Sequence, residues 1–82
     1  MKVFVCTYHT AKDGEFLVAE SRVFKTKQEA MDFFNEWRFD EMFFIEEDGW
    51  TIDDDSEGHF EAGIFGDYCN NHTEGTVESQ EI

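Results

Sequence analysis

From residue 39 to the C-terminus the chain carries fourteen acidic residues and no Lys or Arg, so any fold of this half must hold like charges together. All six basic residues, Lys2, Lys12, Arg22, Lys25, Lys27 and Arg38, lie in the first 38 positions, where six acids match them. The net charge of -14 therefore arises entirely in the second half. Such a field repels itself, costs stability at low salt and shapes which partners approach. The chain sets rings against it: ten Phe, two Trp and two Tyr in 82 residues. Each large ring buries roughly 150–250 Å², and a chain of this size hides only about 60 % of its unfolded surface. Acidic disordered segments are poor in aromatics. A folded acidic domain spanning residues 1–82 is expected instead.

Lys2–His9 (KVFVCTYH) is nearly continuous in β-branched and aromatic residues, as suits a central strand covered on both faces. Thr10–Gly14 is turn chemistry, with Asp13-Gly14 tolerating positive φ. Glu15–Phe24 is the returning strand, with Phe16, Val18, Glu20 and Arg22 on one face and Leu17, Ala19 and Val23 on the other. Thr26-Lys27-Gln28-Glu29 matches a capping box, which starts a helix at Lys27. Ala30, Phe33, Phe34 and Trp37 give that helix an apolar stripe, and Arg38 near its expected end suits the helix dipole. Phe39–Ile45 is compatible with an extension of the helix or with a third strand, and the Phe43-Phe44-Ile45 run before Asp48-Gly49 favours a strand entering a tight turn, with Trp50–Ile52 returning. Asp53–Gly58 is then a polar loop and His59–Phe65 an optional fifth strand. The last ten or so residues, being polar, are expected to fray. The class is α+β, an antiparallel sheet in the order β-β-α-β-β with one helix on one face. The other face is left open for a homodimer contact or a partner.

The acidic stretch Glu46–Glu61 is the candidate partner-binding surface: Glu46, Glu47, Asp48, Trp50, Asp53, Asp54, Asp55, Glu57 and Glu61, with Asp67 beyond it. Same-face residues on a strand repeat about every 6.6–7 Å, close to two nucleotide steps of about 3.4 Å. Carboxylates such as Asp53, Asp55 and Glu57 could thus imitate a row of phosphates. Trp50, Phe60 and Tyr68 are candidate aromatic anchors. Such a field disfavours nucleic acid and anionic membrane as partners and favours basic protein surfaces. With no apolar run of about 18 residues and no leader-like start, a cytoplasmic protein is expected.

Metal and catalytic patterns are incomplete. Asp53-x-Asp55-x-Glu57-Gly58 resembles half of a calcium loop, but Ile64 stands where the bidentate Glu belongs. Cys6-x-x-His9 and Cys69-x-x-His72 have zinc-ligand types, yet residues three apart on a strand point to opposite faces. Cys6 is expected as a small core residue, although a bridge to Cys69 would be compatible with the spacing. No stoichiometric zinc or calcium, no cofactor and no enzymatic activity is expected, since no nucleophile or phosphate-loop motif is present.

In size, charge and layout, with its acidic Glu46–Glu61 stretch, the chain resembles small phage-encoded anti-defence proteins of the anti-CRISPR and DNA-mimic anti-restriction kinds. That resemblance implies a stoichiometric inhibitor in the bacterial host cell, whose acidic face blocks the nucleic-acid-binding cleft of a Cas protein or another defence complex. The alternatives are an acidic accessory or antitoxin-like subunit for a basic protein, and a small metal-dependent domain.

Overall fold

A computed structural model describes residues 1–64 and 66–82, with the side chains of Phe16 and Leu17 set aside. The elements are β1 (Lys2–Lys12), β2 (Glu15–Phe24), α1 (Lys27–Asp48), β3 (Thr51–Ser56), β4 (His59–Gly63) and β5 (His72–Glu81). The strands form one antiparallel sheet in the order β2-β1-β5-β4-β3, and α1 packs across one of its faces. This is the expected α+β class.

The first half follows the sequence signals closely. Asp13 and Gly14 both take left-handed backbone angles (φ 52° and 83°) and turn β1 into β2. The turn is anchored by Gly14 N donating to the Asn70 carbonyl at 3.0 Å. On β1 the residues facing the helix are Cys6, Tyr8 and Thr10, all buried. Thr26 caps α1: its hydroxyl accepts from the Glu29 backbone N–H and donates to the Glu29 carboxylate. The faces assigned to Phe16 and Leu17, and Phe65 as a strand end, lie outside the described residues.

The helix does not stop near Arg38, and Phe39–Ile45 is not a strand. α1 runs for 22 residues, and its buried positions are Ala30, Phe34, Trp37, Glu41 and Ile45, an unbroken i, i+4, i+7, i+11, i+15 series. A Glu at the fourth of these positions interrupts the apolar period that sequence reading relies on. Asp48-Gly49 accordingly ends a helix rather than turning a hairpin. Gly49 adopts the left-handed cap conformation (φ 73°), and Trp50 N donates to the Ile45 carbonyl at 3.0 Å.

Two further expectations are corrected. Asp53–Ser56 belongs to β3 instead of a loop, and the turn is confined to Glu57-Gly58. The tail does not fray: His72–Glu81 is β5, and its first five residues pair with β1 on one side and β4 on the other. Its helix-facing residues are Thr73, Gly75 and Val77, too small and polar to mark a strand by hydrophobicity, yet two neighbours satisfy its backbone groups.

Those small residues make room for one of the core's two indole rings. Trp37 lies over Gly75, so closely that a Cβ built there would overlap the indole. The ring also meets Tyr8 (centroids 5.3 Å apart), Phe34 (5.7 Å) and Phe60 (6.0 Å, edge-on). Beside it is a buried polar spot: Thr10 donates to Glu41 Oε1 at 3.2 Å and exchanges a 2.9 Å hydrogen bond with Thr73. Glu41 Oε2 and Trp37 Nε1 are buried and find no hydrogen-bond partner among the described residues. Burial raises the Glu41 pKa, and Thr10 and the nearby Trp37 N–H only partly offset this.

Gly75→Ala should destabilise the protein by about 1–3 kcal/mol, because the added methyl must displace a packed indole. Chemical denaturation checks this, and a neutral effect would show that the ring is not seated there. Glu41 carries a second expectation. With its folded pKa above the unfolded one, its contribution favours folding at low pH and is lost as pH rises through the folded value. Glu41→Gln should therefore raise the melting temperature at pH 7, and the difference should shrink towards pH 4. Thermal melts across that range measure it.

Candidate functional site

The acidic stretch does not form a row. A β-bulge between Ile52 and Asp54 breaks the strand alternation, and the three consecutive Asp residues reach three different settings. Asp53 accepts from the Tyr68 hydroxyl at 2.8 Å. Asp54 lies 2.5 Å from His59 Nδ1 on the open face. Asp55 accepts from Arg38 Nε at 2.6 Å on the helix side, which holds its carboxyl below the usual range. Glu57 pairs with Lys27 (3.0 Å) and Asp48 with Lys12 (2.7 Å). Asp67 accepts from the side chains of Asn70 and Asn71. β3 is an edge strand, and charge together with a bulge is how natural sheets discourage edge-to-edge pairing. The half-calcium pattern is likewise dispersed over separate partners.

Two of the aromatic anchors are core residues. Trp50 is buried edge-on to Phe44 (4.9 Å), and Phe60 is fully buried under Trp37. Cys6 is also core, and burial pushes its thiol up to about 11. It is not bonded to Cys69, which is exposed.

Glu46 and Glu47 remain exposed in the last turn of α1, and the helix surrounds them with a feature that the sequence reading missed. At 100° per residue, Asp32, Glu36, Phe39, Phe43, Glu46 and Glu47 share the side of α1 opposite its buried stripe. Phe39 and Phe43 are 64 % and 65 % exposed, with rings edge-to-face at 5.5 Å. Two large rings one helical turn apart thus stand in solvent among acids. Recognising them required knowing that Phe39–Ile45 is helical.

The open sheet face carries the second concentration of chemistry. Strand register places Asp54 opposite Glu61, Glu61 opposite Glu74, and Glu74 opposite His9. Three carboxylates are therefore neighbours across β3, β4 and β5, where strands lie about 4.8 Å apart. Like charges directly opposite destabilise a sheet, and imidazoles on either side relieve them. His59 Nε2 lies 2.9 Å from Glu74, while Asp54 holds its Nδ1. Hydrogen bonds donated to the Glu74 and Asp54 carboxylates raise the His59 pKa, which favours the imidazolium. His72 Nε2 lies 2.7 Å from Glu61, and its Nδ1 is 3.2 Å from His9 Nε2. One atom each of His59, Glu61 and Glu74 lies within 4.8 Å of the other two, the set among the described residues that could hold a metal ion.

Cys6 and His9 point to opposite faces, as strand geometry requires, with Cys6 in the core and His9 in the open-face network. What sequence could not supply was the register that brings all three His residues to one face. Among the described residues no helix is long and apolar enough to cross a membrane. Comparison with protein-family models, curated proteins and solved structures finds no match, so the chemistry of these surfaces rests on their own geometry.

Proposed function

We propose that the protein is a non-enzymatic binding protein that docks through the outer side of α1 on a basic, nucleic-acid-binding surface of another protein and blocks it. The exposed Phe39–Phe43 pair carries this reading. Exposed rings are candidate anchors, since aromatic residues dominate interface hot spots. The acids beside them, Asp32, Glu36, Glu46 and Glu47, select a positively charged partner and speed its approach. The net charge of -14 supports the same choice. The resemblance in size, charge and layout to small anti-defence proteins supports a target in a bacterial defence complex such as a Cas effector. Because Asp53, Asp54 and Asp55 are separately partnered, the summed field acts here in place of a regular phosphate-like row.

The protein, immobilised and exposed to nuclease-treated bacterial lysate, should capture a basic nucleic-acid-binding protein. Capture should weaken as salt rises and be displaced by that partner's own nucleic acid. Loss of two anchors worth about 2 kcal/mol each should lower affinity well over tenfold in Phe39→Ser/Phe43→Ser, with the fold intact by circular dichroism. Glu46→Gln/Glu47→Gln should mainly slow association. A captured partner that ignores both variants and still binds its nucleic acid would contradict the proposal.

A further inference from the structure

We propose that the open sheet face binds one divalent transition-metal ion of the Zn²⁺ kind, ligated by His59 Nε2 and by one carboxylate oxygen each of Glu61 and Glu74. Glu61 and Glu74 are direct cross-strand partners, and His59 is two residues from Glu61, so all three rise from the same patch of the sheet. Their ligand atoms lie within 4.8 Å of one another. Zinc bonds of about 2.0–2.2 Å in a tetrahedron need ligands roughly 3.4 Å apart. The remaining closure is within the reach of side-chain rotation on a fixed backbone.

The surrounding groups are placed as supports for such an ion. Asp54 holds His59 Nδ1, so that release of the Nε2 proton to solvent on metal binding leaves Nε2 as the ligand, in the carboxylate–histidine–metal arrangement that orients a ligating imidazole. His72 likewise holds Glu61 and is itself held by His9. A dication would also relieve the repulsion between the opposed carboxylates, which hydrogen bonds to imidazole now moderate. An imidazole nitrogen with only two carboxylates suits zinc and its neighbours better than Ca²⁺, which takes six to eight oxygens, or Mg²⁺. Three protein ligands on an exposed face leave a fourth position for water or for a group from a partner. The expectation of a metal-free protein rested on the Cys-x-x-His and calcium-loop patterns, of which only the latter reaches one of these ligands, Glu61 at its ninth position.

Isothermal titration of the full chain with ZnCl₂, in a Cys69→Ser background that removes the exposed thiol, should give one saturable site per chain and a raised melting temperature. CaCl₂ and MgCl₂ should not reproduce either effect. Asp54→Asn should weaken Zn²⁺ binding about 10–100-fold, as expected of an outer partner. Glu61→Gln/Glu74→Gln should abolish the site while keeping the fold, since it removes an opposed like-charge pair. Glu15→Gln, on β2 at the sheet's other edge, should bind as the parent does. Equal responses to Ca²⁺ and Zn²⁺, no saturable Zn²⁺ site, or unchanged binding in Glu61→Gln/Glu74→Gln would each overturn the proposal.

Discussion

The seating of Trp37 over Gly75 sets the spacing between helix and sheet, and most of the architecture depends on it. A glycine on β5 lets the indole approach the backbone, so the helix closes over the middle of the sheet with Tyr8, Phe34 and Phe60 around one ring. The same closeness brings Glu41 down onto Thr10, which in turn bonds Thr73, a polar contact that an all-apolar interface would lack. Burying that carboxylate costs stability, and it fixes where along β1 and β5 the helix lies.

Charge is the second organising constraint. Three of the six bases, Lys12, Lys27 and Arg38, pair with acids from the base-free half, at Asp48, Glu57 and Asp55. Exposed pairs of this kind are worth about 0–1 kcal/mol each, so their importance is in neutralising the edge strand and the helix end. On the open face, His59 and His72 hydrogen-bond the carboxylates of the acid row. Acids left over are concentrated on the outer side of α1, beside Phe39 and Phe43.

The elements legible in the sequence are those with a local cause. The Asp13-Gly14 turn, the β1–β2 hairpin and the Thr26 cap each follow from a few adjacent residues. The helix end was hidden because Glu41 occupies a core position and Phe39 and Phe43 do not, which inverts the pattern that reports helical faces. β5 was hidden because its core-facing residues are Thr73, Gly75 and Val77, chosen to fit under Trp37 and Glu41 and not to be hydrophobic. Of the candidate site, Glu46 and Glu47 are exposed on the last turn of α1. Asp53–Asp55 were dispersed by a bulge, and the His-carboxylate face depended on a register between β4 and β5 that no local signal encodes.

Residues 39–48 continue one helix whose inner side rests on β5, itself paired on both sides. Backbone amide hydrogen exchange with NMR chemical shifts tests it most directly. Helical shifts through Asp48, with slow exchange at Glu41–Ile45 and at Thr73–Thr76, are the predicted result. Strand-like shifts over Phe39–Ile45, or exchange at intrinsic rates throughout His72–Glu81, would contradict it.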